Sequence, residues 1–261
     1  MLILRYSQKL FSGFDDYYRK NRNQIQENNY NNVVNGSQDT NVKLRAKNLY
    51  KDNYNLQKKF TEDAFVEAAL NGVHNQETFA VLIFAKSDKK QESAEECQAE
   101  FIRSNYKNLL KEIKILPKSG KGALYVSGGK ISSSKGKTIT KTLDIEMTYE
   151  FGGKTLKFYG TLKHTDNSGG SQKNQFNDLI LTNQEFSKIS DPNIITLTIV
   201  SGTYFKPTKM IELNAYSSKT NYAVKIDNLK DVLKKCILDW LLREFPKEKA
   251  ESEYERVKNY A

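Results

Sequence analysis

The chain has 261 residues, of which 38% are hydrophobic and 28% are charged, and its formal net charge is +10 at pH 7. These values are typical of a globular protein with one large domain or two small ones. No apolar run approaches the roughly 20 residues that a membrane-spanning helix needs. Two cysteines, Cys97 and Cys236, exclude a disulfide framework and have no zinc-site spacing. We therefore expect a cytoplasmic protein that is neither exported nor embedded in a membrane.

Most of the excess positive charge lies in one segment. Between Arg103 and Lys141 there are ten basic residues and a single acid, Glu112. This concentration of charge is typical of a surface that binds a polyanion, with a solvated lysine-rich face as the alternative. The lysines that we select as candidate nucleic-acid contacts are Lys118, Lys121, Lys130, Lys135 and Lys137.

The first region that we predict is 1–60, in which Asn and Gln crowd residues 21–55 and reach an extreme at 28–32. Helical periodicity is weak there, so we expect helical fragments and loops that are partly disordered. Residues 61–261 are predicted to form a second domain. It begins with a helix that Thr61 caps and whose apolar face consists of Phe65, Ala68, Ala69 and Val73.

The next segments mix helix and strand patterns. Residues 79–84 form an apolar run of strand or buried-helix length. A helix is predicted from about Ala94 to Lys114, with Ile113 on its apolar face, and a short strand over 123–126 precedes a turn at Gly128–Gly129. The loop 129–138 lacks the glycine spacing of a nucleotide-binding P-loop, so its lysines suit a nucleic-acid backbone better.

A β-hairpin is the clearest pattern in the chain. Along residues 143–149 apolar side chains alternate with polar ones, and Gly152–Gly153 provides the turn to a second strand over 157–165. Leu143, Ile145, Met147 and Tyr149 lie on one face of the first strand, and Asp144, Glu146 and Thr148 on the other. On the second strand, Tyr159, Thr161 and Lys163 share a face.

Helices and strands alternate in the remainder. A polar helix runs to about Thr182, a β-branched run over 194–200 predicts a central buried strand, and an amphipathic helix covers 228–245. The tail from Lys247 is charged, and we expect it to be solvated. The predicted class is α/β, with a mixed central β-sheet flanked by helices and a helical or irregular N-terminal region.

A strand that carries acidic side chains beside a strand that carries a lysine is typical of sites for metal-dependent phosphodiester cleavage. Such a reaction needs an activated water and a Lewis acid, which a divalent metal held by carboxylates supplies, and a lysine that assists with the water or the developing charge. Mg²⁺ prefers oxygen ligands and keeps several waters, so one or two carboxylates suffice. Asp144 and Lys163 are the candidates on this hairpin.

Residues 141–144, 163–179 and 199–205, followed by 226–229, resemble type II restriction endonucleases of the PD-(D/E)XK class. The similarity covers roughly residues 115–233. It implies a restriction-endonuclease-like catalytic domain in 61–261, with Asp144 as the metal-binding acid, Lys163 as the catalytic lysine and Mg²⁺ as the cofactor. The implied activity is sequence-specific cleavage of double-stranded DNA by a homodimer, because twofold symmetry matches a palindromic site.

The chain departs from the pattern of that class at Thr161, where the second acid is expected. Asp178, on the following helix, is our candidate for the second metal-binding and catalytic carboxylate, and Glu146 is its competitor. Glu67, a single-carboxylate site or an inactive site remain as further alternatives. Gln172 and Gln175 are candidates for orienting Lys163 or contacting phosphate, and Lys206 is a further DNA-binding candidate. His164 and His74 are interpreted as ordinary histidines and not as a general base or metal ligands.

Two other functions stay open at this point. The first is a catalytically inactive nuclease-fold protein that binds DNA, which the threonine at position 161 suggests. The second is a basic nucleic-acid-binding scaffold without a catalytic site, in which Asp144 and Lys163 would lie far apart.

Overall fold

The computed structural model describes residues 13–21, 24, 36, 39–75, 90–135, 141–166 and 170–260, and these form two compact units. The smaller unit consists of the described residues between 18 and 90, and the larger one of residues 13–17 and 91–260. Residues 61–75 thus belong with the preceding helices, whereas the sequence prediction joined them to the catalytic domain. The predicted segments 28–32 and 79–84 and the loop residues 136–140, which include Lys137, lie outside the described residues.

Three helices lie within the described stretch 39–75 of the smaller unit: α1 (Asp39–Lys51), α2 (Tyr54–Lys59) and α3 (Glu62–His74). The predicted cap of α3 is confirmed, because the Thr61 hydroxyl accepts a hydrogen bond of 3.3 Å from the Ala64 N–H. Buried side chains of α1 and α3 form one cluster, which consists of Val42, Ala46, Val66, Ala69 and Val73. Ala68 was wrongly assigned to this face. It is exposed, because the buried stripe passes through Val66.

The larger unit is built on a five-stranded mixed sheet. A small second sheet lies in the same unit, and the strands of both sheets are numbered together in chain order. They are β1 (Glu112–Ile115), β2 (Tyr125–Ser127), β3 (Lys130–Ser132), β4 (Lys141–Thr142), β5 (Ile145–Phe151), β6 (Lys154–His164), β7 (Ile194–Ser201) and β8 (Asn221–Lys225). The large sheet has the order β1-β5-β6-β7-β8, antiparallel from β1 to β6 and parallel from β6 to β8. The small sheet has the antiparallel order β3-β2-β4.

Five helices belong with these sheets: α4 (Lys90–Tyr106), α5 (Gly170–Phe186), α6 (Pro207–Asn214), α7 (Leu229–Glu244) and α8 (Lys247–Lys258). Phe176 of α5 and Leu213 of α6 share a buried cluster with Val200 of β7. On the opposite face of the sheet, Trp240 of α7 contacts Tyr149 of β5 edge-on, with ring centroids 5.8 Å apart. The mixed sheet flanked by helices confirms that part of the predicted fold. No helix in the described ranges is long and apolar enough to cross a membrane.

The predicted hairpin is confirmed, although its strands are Ile145–Phe151 and Lys154–His164. Ile145, Met147 and Tyr149 are buried, as expected for the apolar face of the first strand. Leu143 is also buried, but it precedes β5 and packs with Tyr159, which lies on the face of Glu146. Gly152 and Gly153 form the turn, and both have positive φ values, which glycine adopts without a steric penalty. The predicted central strand is also confirmed as β7, which lies between β6 and β8.

Two predicted segments adopt different structures. The helix expected to reach Lys114 ends at Tyr106, and Ile113 instead lies in β1, paired with Met147 of β5. Pairing with a neighbouring strand outweighs local helical periodicity there, because β1 completes the edge of the sheet. The tail expected to be solvated forms α8, whose residues Ala250 and Val257 are buried. Its Glu253 accepts a hydrogen bond of 2.5 Å from the hydroxyl of Tyr149.

Candidate functional site

Asp144 immediately precedes β5, and the neighbouring strand β6 holds its carboxylate. The Thr161 hydroxyl and the Leu162 backbone N–H both donate to Oδ2 of Asp144, each at 2.8 Å. The backbone N–H of Asp144 in turn donates to the carbonyl of Gly160. Thr161, at the position where the resemblance expects an acid, therefore acts as a hydrogen-bond donor that orients Asp144.

Lys163 lies on the same face of the sheet as Thr161, because side chains two residues apart on a strand point the same way. Its Nζ is 3.3 Å from Oε1 of Glu95, on helix α4. The second oxygen of Glu95 is 3.2 Å from Nζ of Lys118, which follows β1. The side chains of Lys163 and Glu95 are only 16% and 14% exposed, whereas that of Lys118 is 59% exposed. Glu95 thus bridges an inner lysine and an outer one.

Asp144 and Glu95 are close enough to influence each other electrostatically. Burial is the largest cause of a raised pKa for Asp144, and the hydrogen bonds from Leu162 and Thr161 oppose it. The negative charge of Glu95 raises this pKa further, and the positive charge of Lys118 lowers it. Asp144, Glu95, Lys163 and Lys118 therefore form one cluster of alternating charge, which we call the carboxylate–lysine cluster.

The carboxylates of the cluster are of the chemical kind that binds a hydrated divalent cation. Oδ1 of Asp144 accepts no hydrogen bond from any described residue. Carboxylate oxygens are the ligands that Mg²⁺ prefers, and a cation between two acids relieves the unfavourable charge of a buried carboxylate. Within the described ranges no group of three or more His, Cys, Asp or Glu residues is placed to hold a metal. Asp144 and Glu95 would therefore hold the ion together with water molecules.

The two acids that the sequence singled out as partners of Asp144 are paired with other residues. Asp178, on α5, is 64% exposed and forms an ion pair of 2.7 Å with Lys141. Glu146 lies in β5, and its Oε1 accepts hydrogen bonds from Lys157 at 3.1 Å and from Tyr159 at 3.0 Å. Neither residue makes a hydrogen bond or ion pair with Asp144, Glu95 or Lys163 in the described structure.

Glu95 is the site residue that sequence reasoning missed. The expectation that a helix before the sheet supplies an acid was attached to Glu67, which is exposed on α3 in the smaller unit. Glu95 stands in a polar stretch with several other acids, and no spacing distinguishes it from Glu96 or Glu100. The available signal was the change from polar to apolar residues along α4, which indicates where this helix begins to pack.

The candidate DNA-binding residues lie in several parts of the larger unit. Lys121, Lys130 and Lys135 are exposed in and beside the small sheet, and Lys206 is exposed immediately before α6. Lys118 is part of the carboxylate–lysine cluster. Gln172 and Gln175 are partly buried in the first half of α5. Lysines at strand ends and loops are suited to phosphate contacts, which position a duplex without reading its bases.

His164 points to the opposite face from Lys163. Its Nδ1 lies 2.8 Å from Oγ of Ser201, and its Nε2 lies 3.0 Å from Oδ2 of Asp166. Ser201 is buried, so this Ser–His–Asp arrangement offers no nucleophile to a substrate. His74 contacts Asp39 at 2.9 Å within the smaller unit. Between described residues, no side-chain hydrogen bond or ion pair joins either histidine to the carboxylate–lysine cluster.

No protein-family model matches the sequence, and comparisons with curated proteins and with solved structures find no significant similarity. The chemistry of the carboxylate–lysine cluster and the charge around it are therefore the grounds for a function.

Proposed function

We propose that this protein is a Mg²⁺-dependent endonuclease that cleaves double-stranded DNA, of the type II restriction class. The observation that carries the proposal is the convergence of Asp144, Glu95 and Lys163 at one end of the sheet. Two carboxylates and a lysine from separate parts of the chain supply oxygen ligands for a divalent metal and a cation for the developing charge. The mixed α/β sheet agrees with the coarse fold that the resemblance implies.

Each residue of the cluster has a role in this proposal. The bound Mg²⁺ supplies Lewis acidity for the phosphate and lowers the pKa of a coordinated water. Asp144 and Glu95 hold the ion, and Thr161 and the backbone of Leu162 keep Asp144 in a fixed orientation. Lys163 directs its ammonium toward Glu95, from where it orients the attacking water or stabilises charge that develops on the phosphate.

A nucleic acid fits the surroundings of the site better than a small phosphodiester. Lys118 reaches from the cluster toward solvent, and Lys121, Lys130 and Lys135 extend the positive surface along the small sheet. A polymer with a regularly charged backbone gains from every such contact, whereas a small ester occupies only the cluster. We further expect a homodimer, because a twofold pair of sites cuts both strands of a palindromic sequence.

The test is a digest of mixed DNA with Mg²⁺, followed by sequencing of the fragment ends. We expect discrete fragments with a common sequence at their ends. Asp144→Ala, Lys163→Ala and Glu95→Gln should each reduce the cleavage rate about 100-fold or more, because each removes a group that acts on the charged transition state. Asp178→Asn is the matched control and should cleave at close to the wild-type rate.

Three results would contradict the proposal in different ways. Loss of cleavage in Asp178→Asn with little loss in Glu95→Gln would mean that the second acid has been assigned to the wrong helix. DNA binding without any metal-dependent fragments would favour the alternative that Thr161 suggests, a nuclease-fold protein that binds DNA without cleaving it. Absence of both binding and cleavage would exclude nucleic acid as the substrate.

A further inference from the structure

Gln98 is a buried polar residue one helical turn after Glu95. Its relative exposure is 0%, and it lies on α4, where residues three apart share a face of the helix. Buried amides in protein interiors are normally hydrogen-bonded through both the oxygen and the nitrogen, so a half-satisfied amide needs an explanation.

The nitrogen of Gln98 links α4 to the ends of two strands. Nε2 donates to the backbone carbonyl of Lys163 at 3.2 Å and to Oγ of Ser201 at 2.9 Å. Oε1 has no hydrogen-bond partner in the described structure. Exchanging the oxygen and nitrogen would set Oε1 against the carbonyl oxygen of Lys163, so the observed orientation is the favourable one.

One turn of α4 therefore holds Lys163 at two points. Gln98 binds its main chain, and Glu95 binds its ammonium. The apolar residues Phe101 and Ile102 on the next turn are buried, so packing already holds this part of the helix in place. An apolar side chain at position 98 would strengthen that packing without leaving an unpaired oxygen. What the amide adds is a directional bond that fixes where this turn lies relative to Lys163.

We propose that Gln98 is a positioning residue of the candidate site, which keeps the Glu95 carboxylate at the Lys163 ammonium by tying α4 to the main chain of Lys163. Glu95 has three rotatable side-chain bonds, so the position of its carboxylate depends on where the backbone of α4 lies. The structural part of this inference is independent of activity. Its catalytic consequence rests on the proposed nuclease function.

The structural part is tested in the metal-free protein by NMR of ¹³C-labelled lysine, with the Lys163 signal assigned by its loss in Lys163→Arg. Gln98→Met removes the amide and keeps the side-chain length. We expect it to move the Lys163 signal toward its position in Glu95→Gln, the variant without the carboxylate. Asn105→Met is the control, because the Asn105 amide binds only the carbonyl of Phe101 within the same helix. It should leave the Lys163 signal at its wild-type position.

The catalytic part is tested on the same variants with DNA and Mg²⁺. Loss of a residue that orients a metal ligand lowers metal affinity or turnover by about 10- to 100-fold. We expect a loss of this size in kcat or a matching rise in the Mg²⁺ midpoint, with the KM for DNA unchanged. A purely structural role would reduce the folded fraction without changing the Mg²⁺ midpoint of the molecules that remain folded.

The outcomes separate the two proposals. If Gln98→Met leaves the Lys163 signal at its wild-type position, the inference about Gln98 is overturned whether or not the protein cleaves DNA. If wild-type protein does not cleave DNA but the signal moves, the nuclease function fails and the positioning role stands. If Gln98→Met does not fold, Gln98→Asn, which is one methylene shorter, takes its place. Failure of both variants to fold would overturn the inference in favour of a structural role.

Discussion

The carboxylate of Asp144 opposes folding at neutral pH. Burial raises its pKa above the ordinary value of an aspartate, and the charge of Glu95 adds to this effect. The folded protein therefore binds a proton at Asp144 more tightly than the unfolded chain does. Stability falls as the pH rises from the unfolded pKa through the raised folded pKa, and it stays lower above that window.

Asp144→Asn should consequently stabilise the metal-free protein at neutral and alkaline pH. The asparagine carbonyl still accepts the hydrogen bonds from Thr161 and Leu162, and no charge has to be buried. We expect the Tm at pH 8 to rise by about 2–4 °C, the shift that about 1 kcal/mol produces in a domain of this size. The difference in Tm between the variant and the wild type should decrease as the pH falls toward 4, because Asp144 then becomes protonated.

Thermal unfolding of both proteins in EDTA across this pH range checks the prediction. Asp178→Asn is the control, since its exposed ion pair with Lys141 contributes little at any pH. A lower Tm for Asp144→Asn at pH 8 would contradict the prediction. It would show that the surroundings of Asp144 stabilise its charged form.

At the level of single residues, the sequence was informative about Asp144 and Lys163 and silent about Glu95. Alternation along a strand and a glycine turn are local properties, so residues 143–163 contain enough information to place both side chains on one face. The position of Glu95 depends instead on how α4 packs against the sheet. That packing is decided by distant residues, and no short pattern encodes it.

Among the secondary-structure elements, a network of buried polar side chains joins α5 to β7 and β8. The hydroxyl of Thr198 donates to Oδ1 of Asn183 at 2.8 Å, and Nδ2 of Asn183 donates to the carbonyl of Leu213 at 2.9 Å. Asn221 accepts from the hydroxyl of Thr196 at 3.1 Å and donates to the carbonyl of Tyr216 at 2.9 Å. Such a network is stabilising when all of its members are paired, and it becomes costly when one member is lost.

Thr198→Val should destabilise the protein by about 1–3 kcal/mol, because it keeps the shape of the side chain and leaves Oδ1 of Asn183 buried without a donor. Urea unfolding measures the difference. The matched control is Thr155→Val on β6, where the hydroxyl is partly exposed and makes no hydrogen bond with any described residue. Valine favours strands, so the control should be neutral or slightly stabilising. Equal losses at both positions would mean that the network is not the cause.

The elements themselves differ in how well the sequence predicted them. β5, β6 and β7 were found because alternating or β-branched runs decide their structure locally. Residues 107–114 were assigned to a helix because their apolar spacing fits one, but the backbone groups of β1 pair with β5. The charged residues 247–258 were expected to be solvated, but they form α8. A few apolar contacts and the hydrogen bond from Tyr149 to Glu253 attach α8 to the large unit.

For the molecule as a whole, we expect the net charge of +10 to govern its encounter with the proposed DNA substrate. Counterions released from DNA by lysine contacts make the affinity fall as salt rises, with a slope of about −0.9 for each phosphate contacted. Replacing Lys121, Lys130 and Lys135 together with Gln should reduce the magnitude of this slope by about 2.7 if each contacts one phosphate. Fluorescence anisotropy in EDTA measures binding while metal-dependent cleavage is prevented.

A control with the same change in net charge separates local contacts from the general field of the protein. Lys247, Lys249 and Lys258 lie on α8, far along the chain from the small sheet, and all three are exposed. Their replacement by Gln removes equal charge, so it should lower the association rate slightly through the weaker long-range field and leave the salt slope nearly unchanged. If both triple variants reduce the slope equally, the salt dependence of DNA affinity is set by the total charge of the protein. That result would contradict the proposal that the small sheet guides the duplex to the carboxylate–lysine cluster.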